Sequence, residues 1–305
     1  MTTKQIILFL SLTLVITLST LVFGKGHRTW LVLDMINLPE LPRHFRTTSE
    51  PLANKFNPHG LAELKALGSG QFSSLSLEAI LKKLNTKSLT IIDLRQESHG
   101  FLNGHAISWY GPHNANNENQ SPQHINLSET KLLQTVQMKN AVKVFTILRK
   151  TANEVIDEVE PTHFKVKEVM NESDIATQQG VQYQRFYIQD FHAAEDQEVD
   201  RFINLVKGKP HNHWLYFHCR AGVGRTTMFM VMYDMLRNAK EVSFEDIMKR
   251  QHAIGGKDLS ALPKRHIYKY QLSKNRFQFL RKFYDYAREN SDHYQTSWSE
   301  WIKRV

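Results

Sequence analysis

The run WLYFHCRAGVGRTTMFMVMYDML, residues 214 to 236, constrains the fold more than any other part of the chain. Its opening WLYFH is apolar and aromatic, and reads as a short buried strand. Its closing TTMFMVMYDML (226–236) reads as a helix that is apolar on nearly every side, and such a helix belongs in the centre of a domain. The loop between them holds Gly222, Gly224, Arg220, Arg225 and Cys219, the only cysteine in 305 residues.

A strand, a glycine-bearing loop and a helix N-terminus together bind anions. Loop amides point inward, the helix dipole adds partial positive charge, and glycine lets the backbone approach closely. Arg225 adds a planar fork that can grip two oxygens of a phosphoryl group. The same field acts on Cys219. An ordinary thiol is about 3% ionised at pH 7, whereas amide dipoles and a guanidinium can make thiolate the main form. Thr226 can hydrogen-bond the sulfur, and His218 can orient the loop. A lone cysteine is more often a small buried hydrophobe, but that reading predicts none of these neighbours.

The rest of the chain supplies an ordinary globular frame. Leu77, Ile80, Leu81 and Leu84 predict a helix over 76–85 capped by Ser76. Residues 88–94, 142–148 and 181–188 read as strands. Val199, Phe202, Ile203 and Val206 predict a helix ending near Gly208, Ser243 starts another in capping-box fashion, and Phe277, Leu280, Tyr284 and Ala287 stripe a last one. Residues 111–123 read as a loop or the edge of an insertion. Strands alternating with helices predict an α/β domain. The length suits one large domain or two ordinary ones. A single cysteine excludes an intramolecular disulfide. The net charge of +9 favours anionic partners, but no basic run marks a nucleic-acid arm, so no nucleic acid is expected.

Residues 6 to 23, IILFLSLTLVITLSTLVF, carry no charge and follow Lys4. Residues 1–26 therefore read as a cleaved secretory signal, with a retained membrane anchor through 6–23 as the alternative. Either exports the remainder, 27–305, to the periplasm or beyond, or leaves it tethered to a membrane.

His218-Cys219 through Arg225-Thr226 resembles the signature loop of cysteine-dependent phosphatases of the protein tyrosine phosphatase superfamily. LPRHFRT (41–47), DLRQESHGFLNG (93–104), Ser108-Trp109-Tyr110-Gly111, RQHAIGG (250–256) and YQTSWSEWIK (294–303) narrow the resemblance to bacterial tyrosine-phosphatase-like phytases. It implies a protein tyrosine phosphatase-like central sheet flanked by helices, with room for a small inserted β-rich subdomain. It also implies hydrolysis of inositol polyphosphates or other anionic phosphomonoesters, with no cofactor. Cys219 would be the nucleophile and Arg225 the phosphoryl grip, assisted by Thr226 and His218. Asp190 stands where the family carries its general acid. Arg220, Ala221, Gly222, Val223 and Gly224 would line the phosphate, and Arg46, His192, Lys269 and Arg276 would contact substrate further out. Asp93 and Arg95 are read as positioning residues.

Two positions depart from the family pattern. Asp190-Phe191-His192-Ala193-Ala194 lacks the proline expected at the Ala194 position, which loosens the loop. Arg220 stands where phytases commonly have glutamate, and an added cation there favours a highly anionic substrate. His211, His213 and His218 have no cysteine or carboxylate cluster to complete a metal set, so no metal is expected. Three other activities share parts of the pattern: a protein tyrosine or dual-specificity phosphatase, a rhodanese-like sulfurtransferase, whose loop is usually shorter, and a non-catalytic phosphate-binding module.

Overall fold

In a computed structural model describing residues 28–305 apart from 54, 211 and 266, the chain runs β1 (Trp30–Met35), β2 (Arg46–Thr47), β3 (Ala66–Ser69), α1 (Ser74–Leu84) and β4 (Leu89–Asp93). There follow β5 (His99–Leu102), β6 (His105–Tyr110), α2 (Pro122–Gln137), β7 (Ala141–Lys150), β8 (Ile156–Lys165), β9 (Val169–Met170), α3 (Glu172–Gln179) and β10 (Gln182–Arg185). The last third gives α4 (Asp196–Lys207), β11 (Trp214–His218), α5 (Gly224–Asn238), α6 (Phe244–Ala253), α7 (Lys269–Glu289) and a short α8 (Trp298–Trp301).

Five strands form the central sheet in the order β10-β4-β11-β3-β2. The first four are parallel, with Phe217 opposite Ile92 on one side and Gly68 on the other. A parallel sheet must be covered on both faces. α5 covers one of them, and thirteen of its fifteen residues are buried. At ~1.5–3 kcal/mol for each fully buried large apolar side chain, Met228, Phe229, Met230, Met232 and Met235 make this helix the centre of the larger core cluster.

The β-rich part is larger than the small insertion expected. Six strands, ordered β8-β7-β1-β6-β5-β9, form a second, mixed sheet, and its strand β1 precedes the central sheet in the chain. Phe101 and Ala106 from this sheet join Leu67, Ile91 and Tyr216 of the central one in a shared apolar cluster. The two sheets are therefore packed together, and strand ends of both reach the cysteine loop.

Most predicted elements form, with shifted ends. The α1 cap is Ser73 rather than Ser76: Ser73 accepts from the Ser76 amide, and the Ser76 side chain completes the capping box. Ser243 caps α6 through the Asp246 amide, but its hydroxyl donates to the Asp246 carboxylate, so no reciprocal box forms. Residues 181–188 hold only a four-residue strand, because the chain bends after Arg185 toward Asp190. Residues 1–26, with the predicted signal or anchor, lie outside the described residues. No helix among the described residues is long and apolar enough to cross a membrane.

Candidate active site

The parallel strands β4 and β11 end side by side, with His218 opposite Asp93. The chain beyond β11 turns sharply into α5 at Gly222, whose φ of +77° suits glycine. A Cβ there would lie 2.2 Å from the Gly70 nitrogen, so the turn is pressed against the end of β3. No side chain caps α5, which leaves its first amides open toward the loop, where an anion would sit.

Cys219 lies at the floor of this loop and is buried. The Thr226 hydroxyl donates to its sulfur at 3.2 Å and the Gly222 amide at 3.3 Å. Burial pushes the thiol up, but the Arg225 guanidinium and the Thr226 hydrogen bonds outweigh it. The thiol is held below its ordinary value, with the Asp190 carboxylate working the other way. The shift is in the direction that favours the thiolate form of the sulfur.

Arg225 is fixed by groups that are scattered in sequence. Nη1 donates to Glu97 and to the carbonyls of Leu94 and Ile188, and Nη2 donates to the second Glu97 oxygen at 2.9 Å. Its Nε has no partner among the described residues, so one edge of the fork stays free. Glu97 is wholly buried; burial pushes its carboxyl up, and Arg225 and Arg95 together bring it well below the carboxylate range.

Asp190 closes the site from the opposite rim. Its carboxylate lies 3.4 Å from Arg225 Nη2 and accepts from Asn114 at 3.1 Å. The aspartate loop is braced without the missing proline. Ala194 is packed into the main core, Phe191 sits edge-on to Tyr268, and Trp298 of α8 donates to Asp196 just beyond. The C-terminal YQTSWSEWIK block thus supports this loop. His192 directs Nδ1 at the Asp190 carbonyl, 2.9 Å away.

The predicted outer residues divide. Arg276 is buried with its Nη1 2.7 Å from where a Gly224 Cβ would stand, its Nε has no partner among the described residues, and burial lowers its pKa to about 10. It is the predicted cation best placed for a second phosphate contact. Arg46 instead supports the loop from behind, donating to the Gly222 carbonyl and the Thr227 hydroxyl. Arg220 turns away from the loop, donates to buried Asp34 at 2.7 Å and stacks over Tyr110. The cation expected to face substrate is therefore paired with a carboxylate, which it shares with Arg95 at 2.9 Å. Lys269 is likewise paired with Glu154. Ala221 and Val223 contribute backbone to the loop, and the Ala221 carbonyl faces Gly70.

His218 points into the interior rather than into the anion loop. Its Nε2 lies 2.6 Å from Glu172, within a buried network that includes Asp93 and His99. Asp93, His99 and Glu172 bring ligand-type atoms within 4.8 Å of one another. Their donors are already engaged: Tyr183 donates to Asp93 and Gln71 to Glu172. Burial pushes His99 down, but the Asp93 carboxylate raises it to about 10. With the imidazole protonated, these groups form an ion-pair network beneath the loop. His213 faces Ser88 and Thr90, remote from this cluster.

Sequence reasoning missed four residues that shape the site: Glu97, Asp34, Arg43, which donates to the Arg220 carbonyl, and Lys257. Burial and the nearby charges of Arg276 and Lys269 lower Lys257. The first and third sit inside blocks already singled out, DLRQESHGFLNG and LPRHFRT. Nothing in the sequence marked Asp34.

A parallel sheet ending in a thiolate loop, with a guanidinium fork and a facing aspartate, defines the protein tyrosine phosphatase class of fold. Comparison with known proteins narrows it. The family model of PTP-like phytases, described by inositol hexakisphosphate, matches residues 92–237. A PTP-like phytase structure from Bdellovibrio bacteriovorus is 32% identical with a TM-score of 0.72, covering 92% of this chain and 96% of that one. The PTP-like myo-inositol phosphatase from Mitsuokella multacida, in complex with myo-inositol-(1,3,4,5)-tetrakisphosphate, is 35% identical with a TM-score of 0.84, over 90% of this chain and 48% of that one. The effector protein hopD2 of Pseudomonas syringae pv. tomato is 28% identical over 274 residues, 87% of this chain and 58% of that protein. The chain belongs to the PTP-like phytase family. It spans about half the length of the Mitsuokella and Pseudomonas proteins.

Proposed function

We propose that this chain hydrolyses phosphate monoesters of inositol polyphosphates through a phosphocysteine intermediate. The observation that carries the proposal is the convergence at one loop of a thiol hydrogen-bonded by Thr226 and Gly222, a guanidinium with a free edge and an aspartate 3.4 Å from that guanidinium. Cys219 Sγ attacks phosphorus, forming the S–P bond as the P–O bond to the inositol breaks. Arg225 and the loop amides hold the equatorial oxygens, whose charge they match in the transition state. Asp190 gives its proton to the leaving alkoxide. Water then attacks phosphorus with Asp190 taking its proton, the S–P bond breaks, and Thr226 stabilises the returning thiolate.

The substrate class is supported by the inositol hexakisphosphate that describes the family and by the myo-inositol-(1,3,4,5)-tetrakisphosphate of the Mitsuokella complex. It is also supported by Arg276 beside the loop. A substrate panel in metal-free buffer tests it, comparing inositol hexakisphosphate with a phosphotyrosine peptide at matched concentration. Faster turnover of the inositol phosphate, weakening with salt, is expected; equal or faster turnover of the peptide would overturn the substrate assignment. Export through residues 1–26 belongs to the same proposal. The N-terminal sequence of protein recovered from outside the cytoplasm distinguishes a cut near Gly24 from a retained anchor.

A further inference from the structure

The turn between β7 and β8 places an anion of the protein's own at the rim of the site. Glu154 sits there with φ +58°, a left-handed conformation that favours glycine or asparagine. The Glu154 amide donates to the Thr151 carbonyl at 3.0 Å and the Thr151 amide to the Val155 carbonyl at 2.9 Å, and the Thr151 hydroxyl accepts from the Val155 amide at 3.3 Å, so the turn is closed without the Glu154 side chain. Its side chain is nonetheless buried, and the carboxylate bonds both Lys150 and Lys269. Burial pushes Glu154 up, and the two ammonium groups bring it below its usual value.

Both lysines connect this carboxylate to the catalytic loops. Lys269 lies 4.7 Å from the centre of the Phe191 ring, next to Asp190. Lys150 lies 5.4 Å from the Tyr110 ring, over which Arg220 of the cysteine loop also stacks, at 4.9 Å. Glu154 therefore stands between the aspartate loop and the Arg220 side of the cysteine loop. Asp34 pairs with Arg220 on the same side, shared with Arg95, whereas Arg276 has no such carboxylate partner among the described residues.

We infer that Glu154 is a specificity-determining residue that withdraws Lys150 and Lys269 from substrate and so limits how many phosphates the rim holds. The inference rests on the proposed inositol-phosphate activity and concerns which members of that class bind best. Electrostatic attraction is strongest on the Arg276 and Lys257 side, because Glu154 leaves its two lysines with one net positive charge instead of two. A substrate with many phosphates gains little on that side over one with few.

The test measures inhibition of p-nitrophenyl phosphate hydrolysis by inositol hexakisphosphate, with inorganic phosphate as reference, so that binding is read without turnover of the inositol. In Glu154→Gln the Ki for inositol hexakisphosphate is expected to fall about tenfold, equivalent to ~1.4 kcal/mol, and the gain to shrink at high salt. The Ki for inorganic phosphate should move less than about twofold. Lys269→Met should change the hexakisphosphate Ki less than about twofold in the wild-type background and remove the gain in the Glu154→Gln background. An unchanged or higher hexakisphosphate Ki in Glu154→Gln overturns the inference. If that variant does not fold, Lys269→Met decides alone: a rise above about twofold means Lys269 already binds substrate and overturns the inference, and a smaller change upholds it. Binding of inositol hexakisphosphate without its hydrolysis would defeat the proposed activity and leave this inference standing.

Discussion

Replacing Asp190 with asparagine separates the chemistry from the architecture. The substitution keeps shape and removes a group that carries a negative charge when ionised and a transferable proton when protonated. Asp190 meets Arg225 at 3.4 Å with a partly exposed side chain, and Glu97 still holds the guanidinium from behind. A pair of that kind is worth ~1 kcal/mol or less, so the melting temperature should shift by only a few degrees. Turnover of an inositol phosphate, whose alkoxide must be protonated as it leaves, should fall about 10²- to 10⁴-fold, the usual worth of a general acid and ~2.7–5.4 kcal/mol of barrier. Hydrolysis of p-nitrophenyl phosphate, whose leaving group needs no proton, should fall by less than about tenfold. The thiol supplies a second readout. The Asp190 carboxylate works against the thiolate, so removing it lowers the Cys219 pKa, and the rate of alkylation by iodoacetamide should begin its rise at lower pH. Equal losses on both substrates would refute the acid assignment and direct attention to Glu195, exposed at the start of α4. A thiol titration moving to higher pH would refute the electrostatic reading.

Cys219→Ser should abolish turnover and retain phosphate binding, because Arg225 and the loop amides remain; more than about a tenth of the wild-type rate would contradict it. Gly222→Ala should cost activity and stability together, since its Cβ would lie 2.2 Å from the Gly70 nitrogen at a φ of +77°; a variant with normal melting and normal kcat/KM would disprove the close packing. The His99–Asp93 pair sets a pH window. With the folded His99 raised to about 10 from an ordinary ~6.5, its stabilisation is fully present below pH ~6.5 and is lost as the pH rises toward 10. Denaturant titrations across that range should show His99→Gln less pH-dependent than wild type on the alkaline side.

The catalytic loop was legible because its chemistry is local: Cys219, Arg225 and Thr226 lie within one turn between a strand and a helix, and each residue type has a stated job. The aspartate loop was legible from its place after a strand and before a helix. The carboxylates that govern the arginines were not. Asp34 is 186 residues from Arg220 and Glu97 is 128 from Arg225, so which charge meets which depends on how the two sheets pack. For the same reason Arg220 and Lys269 read as free cations and proved to be paired, whereas Arg276, on the buried side of α7, was placed where expected. The extent of the second sheet was hidden because β8, IDEVEPTHFK, is exposed along most of its length and carries little apolar alternation.

The single buried thiol has a consequence in redox chemistry. A sulfur activated toward phosphorus is equally activated toward peroxide, and its first oxidation product, a sulfenic acid, is normally rescued by a neighbouring thiol. No second cysteine exists in these 305 residues, so within the chain no disulfide can trap that product. The Gly222 backbone nitrogen lies 3.3 Å from the sulfur. With Cys219 as the proposed nucleophile, peroxide and the phosphate ester would compete for one atom, and an occupied loop would shield it from irreversible oxidation.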